Sequence, residues 1–131
     1  MDVLSSLLAE APAGRLYKAL VESKKAVSIR GENNQLHDAG YLLFSADVRK
    51  DGSLDDVRKT MDAVLDNVAK EPPSKEEVER IITRRKKDFE QLINSPDRVG
   101  RLMSEWASMG DWRLMFLDRD RTEKVTPEDV A

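Results

Sequence analysis

The chain has 131 residues, enough for one domain or part of one, and its 40 % apolar content can supply an ordinary soluble core. Its 22 basic and 25 acidic side chains leave a net charge of −3, which builds no strong field toward nucleic acid or anionic lipid. It contains no cysteine, which excludes disulfides and thiolate metal sites, and no apolar run approaches the ~20 residues of a membrane span.

From Val3 to Lys24 the apolar positions Val3, Leu4, Leu7, Leu8, Leu16, Tyr17, Leu20 and Val21 fit a helical stripe. Pro12 and Gly14 interrupt it, predicting two helices with a break around Ala11 to Ala13. The period then changes. Val27 and Ile29 alternate with Ser28 and Arg30, predicting a strand over Ala26 to Glu32. Asn33 to Gln35 reads as a turn. The apolar run Tyr41 to Arg49 is a second strand, antiparallel to the first. Ser53 caps the next helix, whose apolar face is Leu54, Val57, Met61, Val64, Leu65 and Val68. Pro72-Pro73 ends that unit. Ser74 with Glu77 forms a capping box before Val78, Ile81, Ile82, Phe89, Leu92 and Ile93. Ser95-Pro96 opens another helix with the stripe Val99, Leu102, Met103, Trp106 and Met109, closed by Gly110. Asp111 caps a further helix bearing Trp112, Met115, Phe116 and Leu117.

The two ends point to a larger parent. Thr126-Pro127-Glu128-Asp129 is a helix start, yet the chain stops at Ala131, and so short a helix does not form alone. Val3-Leu4 begins an apolar stripe with scarcely any lead-in, and two strands make a marginal sheet. The expectation is a single partial domain, 1–131, truncated at both ends. Met1-Asp2-Val3-Leu4 lacks the basic start of a signal peptide, so any export signal of the parent lies elsewhere. The compartment stays open between periplasm and cytoplasm.

Groups for catalysis are scarce. His37 is the single histidine, and no carboxylate accompanies it at a ligand spacing. Neither His-x-x-Glu-His nor Gly-x-Ser-x-Gly nor a glycine-rich phosphate loop occurs. His37 beside Asp38 reads as a surface turn, and the basic run Arg84-Arg85-Lys86-Lys87 as a solvated helix face rather than a nucleic-acid patch. Asp55, Asp56, Asp62 and Asp66 read the same way. Trp106 and Trp112 flank a helix junction; core packing is the plainer reading for them, a peptide groove the other. No catalytic, cofactor-binding or metal-ligating residue is assigned to this chain.

The segment Gly14-Arg15-Leu16-Tyr17-Lys18-Ala19-Leu20-Val21-Glu22 is followed by a strand pair and three helices. After them come Met109-Gly110-Asp111-Trp112-Arg113 and Val125-Thr126-Pro127-Glu128-Asp129-Val130. In that order these resemble the non-catalytic homologous domain of pitrilysin/insulinase zinc peptidases, over nearly the whole chain. The resemblance implies an α+β fold, an antiparallel sheet with helices packed on one face. It also implies zinc in the parent enzyme but none in this fragment. A zinc-bearing homologous domain, of the same or a partner chain, would be its partner, and peptide the parent's substrate. In many members the helix ends in an arginine, followed seven residues later by a substrate-holding tyrosine. Here those positions are Val21 and Ser28, which supply neither a guanidinium nor a phenol.

The function implied is a non-catalytic, chamber-forming domain of a zinc-dependent metallopeptidase, inactive alone. The alternative is a non-enzymatic assembly or interaction subunit of the same fold, with which the lost clamp is compatible. An unrelated α+β binding module is a third reading.

Overall fold

The computed structural model describes residues 2–130. Helix α1, Asp2–Ala9, ends at a turn over residues 11–13, where the Ala11–Pro12 peptide is cis. A second helical stretch follows and widens into a π-helix over Tyr17–Glu22. The break stands where proline and glycine place it; the π geometry carries no signal in the apolar spacing. Strand β1, Ser28–Asn34, and strand β2, Tyr41–Asp47, form an antiparallel hairpin in which Gly31 faces Phe44 and Ser28 faces Asp47. Asn33 and Asn34, expected in a turn, instead extend β1 by pairing with Leu42 and Tyr41.

Helix α2, Leu54–Val68, starts as expected: the Ser53 side chain accepts the Asp56 N–H. Helix α3, Lys75–Ile93, carries the full Ser74–Glu77 capping box. Helix α4, Pro96–Ser108, has proline in its first turn but no side-chain bond from Ser95. Gly110 closes it at φ +130°, a backbone conformation that favours glycine. Helix α5, Leu114–Thr122, is preceded by Asp111, whose carboxylate takes the Arg113 N–H at 2.9 Å. Helix α6, Pro127–Val130, opens with Thr126 and Asp129 bonded reciprocally.

The hairpin is two-faced because side chains alternate along a strand. Ile29, Phe44 and Ala46 face the helices. They join Leu8, Leu16, Leu20, Val57 and Val68 in the main core, with Val21 packed against it. Arg30, Glu32, Tyr41, Leu43, Ser45 and Asp47 are exposed. This is an α+β layer, a sheet with helices on one face. Gly31 lets α1 lie close, since a Cβ there would stand 2.8 Å from the Ala9 Cβ and 2.9 Å from Ser5 Oγ. A second, smaller cluster joins Val3 and Leu7 of α1 to Val78 and Ile81 of α3. Helices α4 and α5 lie beyond α3. Met115 of α5 is buried, whereas the apolar stripe of α4 is only half-covered.

Candidate functional site

The two clamp positions lie at opposite ends of the segment joining the π-helix to β1. Val21 packs against the main core, and Ser28 Oγ donates to Asp47 Oδ2 across the hairpin at 2.5 Å. Lys24, between them, has φ +64° and donates its N–H to Val21 O, turning the chain from helix into strand. Arg15, just before the π-helix, serves the fold: its guanidinium donates to Glu71 O, Pro72 O and the Glu77 carboxylate, tying the π-helix segment to the α2–α3 connection.

His37 stands on the β1–β2 connection, largely exposed, 3.5 Å from Asp38. Among the described residues no group of three or more His, Asp or Glu side chains is placed to hold a metal.

The basic run of α3 lies on a solvated face, as expected, and in addition makes tertiary ion pairs. Arg84 reaches Glu10 at 2.7 Å. Arg85 reaches Asp2 and Ser6 of α1, and Lys86 reaches Glu123 at 3.2 Å. Three of its four cations are tertiary ties, because α3 runs between α1 and the α5–α6 junction, both of which present carboxylates. Asp56 likewise pairs with Lys25 at 3.1 Å, and Asp62 with Arg58.

A concavity of about 750 Å³ lies between the β1–β2 connection and helices α3, α4 and α5. Phe89, Leu92, Leu102, Trp106 and Met115 form its apolar wall, and Asp2, Arg85 and Asp118 stand on its polar side. Asp2 is fixed by Asn33 at 2.7 Å and by Arg85. Asp118 is half-buried, and its carboxyl is raised above the usual range by burial and by the Asp2 charge, with Arg85 opposing. Arg119 lies over the Phe89 ring at 5.2 Å and the Phe116 ring at 5.5 Å. Of the two tryptophans, Trp106 lines this cleft, so its groove reading fits better than a core one. Trp112 is 41 % exposed, packing edge-on to Phe116, and is not in the core. Asp118 was not visible in the sequence: Leu114 to Leu117 is an unbroken apolar run with no stripe to say which side faces inward.

A family model described as the peptidase M16 inactive domain matches residues 1–85, well over half of the chain. The chain belongs to the M16 inactive-domain family. This is the pitrilysin/insulinase group that the sequence motifs resemble. The chain is 26 % identical over 125 residues to the Helicobacter pylori zinc protease PqqE, spanning 90 % of itself but only 28 % of that protein. Among solved structures, a candidate zinc protease from Bordetella pertussis Tohama I is 36 % identical at a TM-score of 0.86, covering 98 % of this chain and 71 % of that one. The inactive peptidase domain of a candidate zinc protease from Bordetella parapertussis is also 36 % identical, at a TM-score of 0.88, over 98 % and 69 %. A Helicobacter pylori protease superposes at 0.90 with 25 % identity, and the chain spans 32 % of it. No helix of the described residues is long and apolar enough to cross a membrane.

Proposed function

We propose that this chain is a single partial domain, without catalytic residues of its own, that forms part of the wall of a peptide-hydrolysing chamber. Its parent is a zinc metallopeptidase, and the active zinc-bearing domain stands on the same chain or on a partner. Zinc bound in the active domain of such a parent would supply an activated water for peptide hydrolysis. One observation carries the reading: an M16 inactive-domain match on a chain with one exposed histidine and no His-x-x-Glu-His. The kinship to zinc protease PqqE supports the zinc-dependent parent.

A second reading, a non-enzymatic assembly subunit, is favoured by one feature. Val21 and Ser28 are both engaged within the fold, so the substrate clamp of the family has no counterpart at those positions. Zinc content and peptide hydrolysis, measured side by side on this chain and on the full parent, separate the two. The chamber-wall reading expects a parent that holds zinc and cleaves peptide while this chain does neither. A parent with neither property, even with its partner subunit present, supports the assembly reading. Stoichiometric zinc or hydrolysis in this chain alone overturns both.

A further inference from the structure

Between β2 and α2 the chain turns over Arg49 to Gly52, where the Gly52 N–H donates to Arg49 O at 2.9 Å. Every residue from Arg49 to Ser53 is exposed. An exposed turn closed by such a bond opens locally at little cost. The carboxylates on either side are engaged, Asp47 by Ser28 and Asp56 by Lys25. That of Asp51 has no hydrogen-bond or ion-pair partner among the described residues. The next residue is glycine, and packing keeps it so. A Cβ at Gly52 would stand 2.7 Å from Val48 Cγ1, on a side chain packed against the main core, and 3.1 Å from Arg49 O. The amide nitrogen that follows this free carboxyl is therefore shielded by no side chain of its own residue.

We infer that Asp51 is a site of spontaneous modification, where its carboxyl condenses with the Gly52 amide and the turn isomerises to iso-aspartate. The Gly52 nitrogen bonds to the Asp51 carboxyl carbon, and the amide proton leaves with the carboxyl hydroxyl as water. The product is a cyclic imide. Water then adds at either imide carbonyl, and the C–N bond there breaks. Opening at the side-chain carbonyl restores aspartate. Opening at the main-chain carbonyl leaves the chain running through the side-chain carbon, with one more backbone atom and a free α-carboxylate. The water lost in the first step is regained in the second, so no co-reactant is consumed and the mass is unchanged. Other candidate positions are held back. Asn94 precedes Ser95, but its side-chain amide donates to Glu90 O at 2.9 Å and the Ser95 N–H to Leu92 O at 3.0 Å. Asp38 is exposed, yet it lies 3.5 Å from His37 and precedes Ala39, whose Cβ crowds the attacking amide. The consequence of isomerisation falls on the start of α2. The added atom lengthens the link between β2 and Ser53, whose side chain accepts the Asp56 N–H at 3.2 Å.

The test ages the folded 131-residue chain at neutral pH and physiological temperature. An isoaspartate carboxyl methyltransferase with radiolabelled S-adenosylmethionine then marks each new α-carboxylate, and peptide mapping places the label. Label is expected to accumulate with time on the peptide holding Asp51, ahead of those holding Asp38 and Asn94. It should be lost in Asp51→Glu, whose longer side chain must close a larger ring. That variant keeps the charge at an exposed position, and circular dichroism before ageing checks that it is folded. Absence of label at Asp51 in the folded chain, including the case where it forms there only in urea, would overturn the inference. So would label at Asp38 or Asn94 equal to that at Asp51, or undiminished label in Asp51→Glu. The readout involves neither zinc nor peptide hydrolysis, so its outcome leaves the proposed function untouched.

Discussion

Single residues in this chain show where backbone conformation and close approach constrain the side chain. Lys24 sits at φ +64°, where a Cβ crowds the following carbonyl, and only its position after the π-helix requires that conformation. Lys24→Gly is expected to stabilise the chain by about 1 kcal/mol in urea unfolding, whereas Lys24→Val should destabilise it. Gly31 has an ordinary φ but no room. A methyl there would press on the Ala9 Cβ at 2.8 Å and on the Phe44 ring at 2.9 Å. Phe44 can turn, but Ala9 belongs to the packed face of α1. Gly31→Ala is therefore expected to cost about 1–3 kcal/mol, read as a lowered Tm. The sequence shows both residues plainly and hides both reasons, because a glycine in a strand and a lysine after a helix look alike whether or not another element lies against them.

At the level of elements, the caps carry much of the order. The Ser74–Glu77 box was legible from spacing alone, since each partner bonds within the same turn. What spacing could not show is that Arg15, some sixty positions earlier, donates to the same Glu77 carboxylate at 3.1 Å while holding Glu71 O at 2.7 Å. Arg15→Ala removes a cation and leaves those carbonyls with one donor fewer. About 1.5–3 kcal/mol of stability should be lost in chemical denaturation, at the lower end because the ion pair is partly solvated. Glu77 also sets an acid limit. Burial pulls its carboxyl upward, but the Ser74 N–H and the Arg15 guanidinium outweigh that and leave it lowered from the ordinary 4.5. A carboxyl lowered on folding binds fewer protons in the native state. Its contribution is therefore full above 4.5 and lost as pH falls through the lowered value. Asp111, lowered to about 2 by the Arg113 side-chain and backbone donors, acts in the same direction at still lower pH. In Glu77→Gln the decline of Tm between pH 5 and pH 3 should be shallower than in the wild type.

For the molecule as a whole, the described sheet has two strands, and each has an outer edge with no strand beside it. Val27 at 56 %, Tyr41 at 55 % and Leu43 at 48 % exposure add apolar surface near those edges. Unpaired N–H and C=O groups beside apolar side chains are a template for pairing with another chain. The chain by itself is expected to self-associate with rising concentration in sedimentation velocity. Leu43→Lys, whose side chain points away from the core, should suppress this without lowering Tm by more than about 0.5 kcal/mol equivalent.

The sequence by itself determined the order of helices and strands, the α+β class and the family, though not the π geometry of Tyr17–Glu22. Each of these rests on local rules: period 3.6 against period 2, the chemistry of a cap within one turn, the stop that proline and glycine impose. The tertiary structure alone decided which surfaces meet. It gave three cations of the solvated face on α3 ion-pair partners at Asp2, Glu10 and Glu123, which local spacing does not show. It left α4 half-covered although its apolar stripe reads as clearly as that of α3. It also brought Asp118, Glu105 and Asp88 around one cleft. Periodicity records that a helix has an apolar side; only the packing of remote elements, which no local spacing encodes, settles how much of that side is covered and which charges remain without a partner.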